Sequence, residues 1–226
     1  MYNKKIKNAT PIVSDGIQFK SKLEGRFYNT LKDLGFNPKY EEVTFCLSPT
    51  IRPTKAFYNR SVKKLGFHYD MKPIRSITYT PDFIFNYKDV TVIIEAKGIE
   101  NDSYPIKKNL FRKYLETIPD HVMYFEVRTK RELLEVIKII KMESAQVQKI
   151  RSLIPRLPEK DIPLANKFLD KRDFENLEDL VTSAIYKVSK SKTIGASEAL
   201  MERYKNIDVA DLQELAGAVI DYRAQL

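Results

Sequence analysis

The residues with the clearest chemical potential are Asp82, Glu95 and Lys97. Asp82 follows Pro81, and thirteen residues later comes Glu95-Ala96-Lys97. Side chains alternate along a strand, so Glu95 and Lys97 project to the same side. They end the apolar run Val90-Thr-Val-Ile-Ile. An acid and an amine there are costly to desolvate unless they have partners or a task. If the two segments form a hairpin turning at Asn86 to Asp89, Asp82 lies across from Glu95. Two adjacent carboxylates repel, and a divalent cation relieves the repulsion. Oxygen-only ligation with retained waters suits magnesium. Lys97 would orient a water and neutralise charge on a phosphate. These are the parts for metal-assisted phosphodiester hydrolysis. The bare pattern also arises by chance in charged proteins, as a surface Glu–Lys pair at a strand end. The strand context and the basic surroundings favour the chemistry.

Two further residues join the set. Glu24 falls at the edge of an apolar helical stripe formed by Leu23, Leu31 and Leu34. From that boundary it would reach a metal directly or through water; the bland alternative is a boundary glutamate paired with Lys20 or Arg26. Lys107 falls in the first turn of a helix after the Glu-Ala-Lys strand, near the middle of an apolar arc of Ile106, Leu110, Phe111, Tyr114, Leu115 and Ile118. It would reach the site or a scissile phosphate, or snorkel with its stem over apolar surface. Lys20, Lys22, Arg52, Lys55, Arg60, Lys108 and Arg112 are the expected nucleic-acid contacts. His121 and Cys46 are expected to pack. No glycine-rich phosphate loop and no Ser/His/Asp set is present.

The elements that must position these residues follow from periodicity. Phe19, Leu23, Phe27, Leu31 and Leu34 predict a helix from about Lys20, with Gly35 as its stop. Residues 42–47 predict a strand. Residues 48–74 carry Pro49, Pro53 and Pro73 and the bases Arg52, Lys55, Arg60, Lys63, Lys64 and Lys72. They read as a basic excursion holding one short helix. Strands are expected at 80–87 and 90–97, a helix at 104–118, a strand at 121–127 and a helix at 130–149. The expected fold class is α/β: a mixed central sheet flanked by helices, with a C-terminal all-α segment. The domains are expected at 1–150, with 48–74 as a basic insertion, and at 164–226, joined by a proline-bearing linker at 151–163. Helices are expected near 164–171, 175–190, 196–205 and 208–225.

Composition bounds the function. The 226 residues carry 39 Lys and Arg against 30 Asp and Glu, a net charge of +9. Residues 151–226 are near neutral, so the excess lies in the front part, as expected of a surface that meets a polyanion such as nucleic acid. One cysteine and two histidines exclude an intrachain disulfide framework and a thiolate zinc cluster. No apolar run is long enough for a membrane helix, and the start has no secretory pattern. A soluble protein of a reducing compartment, the cytoplasm of a bacterium or of a phage-infected host, is expected.

Together these residues resemble the PD-(D/E)XK nuclease superfamily. The match is Glu24 on the first helix, Pro81-Asp82, and Glu95-Ala96-Lys97, followed by the helix bearing Lys107. More narrowly, Asp15-Gly16-Ile17-Gln18-Phe19-Lys20-Ser21-Lys22-Leu23-Glu24 and Tyr79-Thr80-Pro81-Asp82-Phe83 look like the opening and the strand of small phage-type nucleases. Several of those are described as Holliday junction resolvases or endonucleases. The resemblance covers about residues 12–128. It implies a restriction-endonuclease-like core with magnesium or manganese on Asp82, Glu95 and the carbonyl of Ala96. Glu24 would assist and Lys97 would position or activate the attacking water. The length of 48–74 and the whole of 151–226 depart from the compact pattern.

The first expectation is therefore a structure-selective, metal-dependent DNA endonuclease of recombination, repair or phage DNA processing, acting on branched DNA as a homodimer. The alternatives are a sequence-selective or nicking endonuclease of homing, restriction or transposon end-cleaving type, and a non-catalytic DNA-binding or interaction module. The helical tail suits dimerisation or a protein partner. A small helix-turn-helix reader is the other reading, because Lys187, Lys190 and Lys192 cluster at one helix end.

Overall fold

Strand and helix follow one another where hydrophobic period two gives way to period 3.6. The computed structural model describes residues 10–60, 66–88, 90–98, 103–118 and 121–225. Two short strands, β1 (Ile12–Ser14) and β2 (Ile17–Phe19), pair antiparallel across Asp15 and Gly16, both in the left-handed region. Helix α1 (Lys22–Asp33) follows. It buries Phe27, Tyr28 and Leu31 and ends at Gly35, whose φ of +83° suits a helix stop. The strand β3 (Lys39–Tyr40) comes next.

The central sheet is mixed and four-stranded. Its members are β3, β8 (Phe83–Tyr87), β9 (Val90–Ala96) and β10 (Val122–Val127), in the order β10-β9-β8-β3. β3 runs antiparallel to β8, with Tyr40 opposite Phe83. β9 and β10 run parallel: the Thr91 amide bonds the His121 carbonyl and the Lys97 amide bonds the Val127 carbonyl, both at an offset of thirty residues. Helix α2 (Tyr104–Leu115), with Pro105 in its first turn, is the crossover between them. Val92, Ile93 and Ile94 are buried, which explains why β9 reads as a continuous apolar run.

Between β3 and β8 the chain makes a long β excursion. β4 (Phe45–Ser48) pairs with β7 (Ile77–Tyr79), Ile51 bridges Ile74, and β5 (Tyr58–Arg60) pairs with β6 (Phe67–Tyr69). The short helix expected in 48–74 is absent among the described residues. The polar, proline-punctuated sequence hides an antiparallel ladder, because its paired residues lie far apart in sequence. Lys63, Lys64 and Asp89 lie outside the described residues. Cys46 is exposed on β4 and does not pack as expected.

Two compact units divide the chain. One takes in the chain to Phe85 with Ile93–Ile118 and Tyr124–Lys130; the other takes in Asn86–Val92, Pro119–Met123 and Arg131–Leu226. The division after the sheet thus falls at Lys130, not at 150. Helix α3 (Lys130–Leu153) runs on into the helical unit, and its Val147, Ile150 and Leu153 join the core there. The stretch expected as a linker is two 3-10 turns, Ile154–Arg156 and Glu159–Asp161, with Ile154 and Leu157 buried in the same core. Helices α4 (Ile162–Asp170), α5 (Phe174–Ser191), α6 (Glu198–Tyr204) and α7 (Val209–Arg223) complete it, close to their expected ranges. Asp173 and Asp208 cap α5 and α7. Among the described residues, no helix is long and apolar enough to cross a membrane.

Candidate active site

Asp82 sits immediately before β8, and Glu95 lies one residue before the end of β9. Because the strands are neighbours, these two ends meet. The Ala96 amide donates to Asp82 Oδ2 at 2.7 Å, across the junction. No hydrogen bond engages Oδ1 among the described residues. Lys97 Nζ donates to Glu95 Oε1 at 3.1 Å, as the two-residue alternation predicts. The other Glu95 oxygen, Oε2, accepts from the Tyr79 hydroxyl at 2.8 Å. Glu95 is buried, and both oxygens are oriented by these donors.

The electrostatics show the cost of this arrangement. Burial, then the charges of Glu95 and Glu24, push the Asp82 carboxyl up to about 8 from an ordinary 3.8. The Ala96 amide opposes that shift, and Glu41 adds to it. A carboxylate cluster of this kind holds its charge only with help from a cation. Among the described residues, no three His, Cys, Asp or Glu side chains form a ready-made metal cage. Two carboxylates, Asp82 and Glu95, nevertheless match magnesium, which retains several waters and takes one or two carboxylates. The donor chemistry therefore fits the implied cation.

Glu24 is buried and does double duty. The Ser21 hydroxyl donates to its Oε1 at 2.7 Å, and the Glu24 amide donates back to Ser21 Oγ at 3.2 Å, so Ser21 caps the start of α1. The Lys20 amide at 3.0 Å and the Tyr40 hydroxyl at 2.5 Å both donate to Oε2. Glu24 thus ties α1 to the edge strand β3, while its charge acts on Asp82. Glu24→Ala removes these bonds, and urea unfolding should show a loss of about 1–2 kcal/mol.

A second group was not legible in the sequence. The hydroxyls of Tyr79 and Tyr124 lie 3.0 Å apart, and those of Tyr104 and Tyr124 lie 3.1 Å apart. Tyr104 and Lys108 both donate to Glu126. Burial works to raise the Glu126 carboxyl, and the Lys108 and Tyr104 bonds outweigh it, so the group stays below its usual range. Burial first, then the Glu95 charge, pushes the Tyr79 phenol far up, so it donates and does not ionise. Lys97 Nζ also lies over the Tyr104 ring, 2.9 Å from its centre. The chain Glu95–Tyr79–Tyr124–Tyr104–Glu126–Lys108 therefore orients both Glu95 and Lys97. One signal for it was available: Glu126, like Glu95, is an acid near the C-terminal end of an apolar strand, and β9 and β10 are parallel neighbours. Tyr79→Phe removes a donor that aims Glu95. In the nuclease reading, the outcome to expect is a kcat lowered about tenfold with KM little changed, measured by steady-state cleavage.

The expected cations fall into two groups. Lys107 is exposed, and its expected inward role is not supported. The buried face of α2 is set by Tyr104 and Phe111, which rotates Ile106 and Lys107 outward and brings Lys108 to Glu126. Lys20 pairs with Glu41. Lys22, Arg52, Lys55, Arg60 and Arg112 are exposed. His121 faces Glu143 at 3.4 Å in the helical unit.

The family described as a protein of unknown function, DUF1064, matches residues 4–133. That is 130 of the 226 residues. The chain belongs to this family. The DUF1064 match takes in Glu24, the β excursion, Asp82, Glu95, Lys97 and Glu126, and ends at the fourth residue of α3. No curated protein and no solved structure matches the chain. The family description carries no activity, so the function rests on the site itself.

Proposed function

We propose that this DUF1064 protein is a metal-dependent DNA endonuclease that hydrolyses phosphodiester bonds, selective for branched DNA of the Holliday junction type. The observation that carries the reading is the meeting of Asp82 with Glu95 and Lys97 at the ends of two adjacent strands. Asp82 is anchored by the Ala96 amide and held against the charges of Glu95 and Glu24. A buried, oriented acid pair with a lysine on one member is a costly arrangement for stability alone.

Asp82, Glu95 and the Ala96 carbonyl would hold magnesium or manganese, and Glu24, whose charge acts on Asp82, would assist through water. When bound, the cation supplies Lewis-acid polarisation and lowers the pKa of a coordinated water. Glu95, fixed by Tyr79 and Lys97, presents one orientation to it. Lys97 orients the attacking water and offsets negative charge developing on the phosphate. Lys22, Arg52, Lys55, Arg60 and Arg112 supply exposed positive charge for the backbone. Resolution of a junction needs two nicks, so a homodimer accompanies this reading.

The test is cleavage of a matched set of labelled DNAs with magnesium or manganese: four-way junction, fork, single strand, linear duplex and supercoiled plasmid. Paired nicks in the junction support the proposal. Cutting at one duplex site instead assigns a sequence-selective enzyme, and no cleavage of any substrate overturns the nuclease reading.

A further inference from the structure

The β excursion carries a second feature that hydrolysis does not require. Four of the five exposed phenylalanine and tyrosine side chains among the described residues lie on it: Phe57, Tyr58, Phe67 and Tyr69. Tyr58 pairs across the ribbon with Tyr69, and Arg60 pairs with Phe67. Residues two apart and residues directly opposite share a face, so Tyr58, Arg60, Phe67 and Tyr69 form one face of β5–β6. Tyr58 is 59% exposed, Phe67 71% and Tyr69 55%. The Tyr58 and Tyr69 rings lie 5.5 Å apart, tilted by 55°. β5 and β6 form their own two-stranded sheet, paired with no other described strand.

A solvated ribbon face is ordinarily polar, and a concentration of exposed rings marks a contact surface. Charge identifies the partner. From Ser48 to Thr78 the sequence holds seven Lys and Arg against one acid, Asp70. Arg52, Lys55, Arg60, Lys72 and Arg75 are all exposed. Exposed rings interleaved with exposed cations are what single-stranded nucleic acid needs: phosphates take the cations and base faces take the rings.

We propose that the Tyr58–Arg60–Phe67–Tyr69 face stacks on unpaired bases, so that the ribbon recognises DNA whose strands have separated. The choice of DNA as the polyanion rests on the nuclease reading; the stacking does not. The ladder from Tyr69 back to Tyr79 is ten residues, so the Tyr69 and Tyr79 Cα atoms are no more than about 35 Å apart. Tyr79 in turn bonds Glu95. The face is therefore tethered within about 35 Å of the strand whose Tyr79 meets the site.

The experiment is fluorescence anisotropy of the full chain in EDTA with a splayed fork, a single strand and a blunt duplex, each end-labelled, across a salt series. Two triple variants are compared, Tyr58→Ala/Phe67→Ala/Tyr69→Ala and Tyr58→Ile/Phe67→Ile/Tyr69→Ile. The second keeps strand propensity and apolar bulk without a ring. Both should weaken fork and single-strand binding about tenfold or more and change duplex binding little. Tyr58→Phe/Tyr69→Phe should bind as the wild type does. Arg60→Ala should reduce the salt slope by about one, and the ring variants should leave it unchanged. Equal losses on fork and duplex, or unchanged affinity in both triple variants, would overturn the proposal. So would isoleucine variants that bind normally while changing the oligomeric state, which would make the face a contact between copies. Wild-type fork binding without cleavage in magnesium would remove the nuclease reading and leave this one standing. Cleavage unaffected by the ring variants, with equal fork and duplex affinity, would do the reverse.

Discussion

Lys97→Met should reduce phosphodiester cleavage by about a thousandfold while leaving DNA affinity within a factor of about two. The side chain is held on two sides, by Glu95 Oε1 at 3.1 Å and by the Tyr104 ring, so its ammonium occupies one place. A charge fixed in a mostly buried site stabilises developing negative charge far more than a mobile surface lysine would. Methionine keeps the stem and its packing and removes the charge with its bond to Glu95. Binding should survive because backbone affinity comes from many exposed cations. Lys97→Arg should recover little, since a planar fork does not replace a compact ammonium beside Glu95 and over the Tyr104 ring. Single-turnover cleavage with excess enzyme separates the chemical step from binding. A rate within tenfold of wild type would remove Lys97 from the mechanism.

The second large effect is a gain in stability together with a loss of activity. Asp82→Asn should stabilise the metal-free protein at pH 8 by several kcal/mol, on the order of 5, and abolish its activity. The folded Asp82 carboxyl is pushed up to about 8 by burial and by Glu95 and Glu24, against 3.8 when unfolded. Below about pH 4 the group is protonated in both states and costs nothing. Between pH 4 and 8 the unfolded chain releases the proton and the folded chain retains it, so folding stability falls as pH rises. Above about 8 the loss is complete. Asparagine removes that dependence and still accepts from the Ala96 amide. Urea midpoints in EDTA at pH 5 and pH 8 read the effect: the wild type should be weaker at pH 8, and the variant should show a smaller change. Magnesium should restore the wild type at pH 8, because a ligand of the folded state adds to its stability. A wild type more stable at pH 8 than at pH 5 in EDTA would contradict the electrostatic account.

Both effects come from residues readable in the sequence. Asp82, Glu95 and Lys97 are separated by short spans, and strand alternation with one tight turn is enough to bring them together. The helices of the C-terminal part were equally legible, since Val209, Leu212, Leu215 and Val219 are spaced locally. What escaped depends on contacts far apart in sequence. The ladder of Ile51 with Ile74 and Tyr58 with Tyr69 has no local period, so the excursion read as irregular. The tyrosine chain joins β7, α2 and β10, and its members look individually like core aromatics. Lys107 shows the limit of helical wheels. Ile106 and Ile118 widened the apolar arc, whereas packing of Tyr104 and Phe111 chose a narrower one centred a residue away. The boundary at 150 failed because prolines mark a turn whether or not a core continues through it, and Ile154 and Leu157 carry the core across.

Both losses of activity depend on the proposed hydrolysis of DNA by Asp82, Glu95 and Lys97 with a divalent cation. The most direct measurement is nicking of a labelled four-way junction by wild type, Asp82→Asn and Lys97→Met, with magnesium, with manganese and with EDTA. Cleavage by the wild type with the divalent cation and not with EDTA, and none above background by either variant, is the expected result. Cleavage that persists in Asp82→Asn, or a wild type inert with both magnesium and manganese, would contradict it.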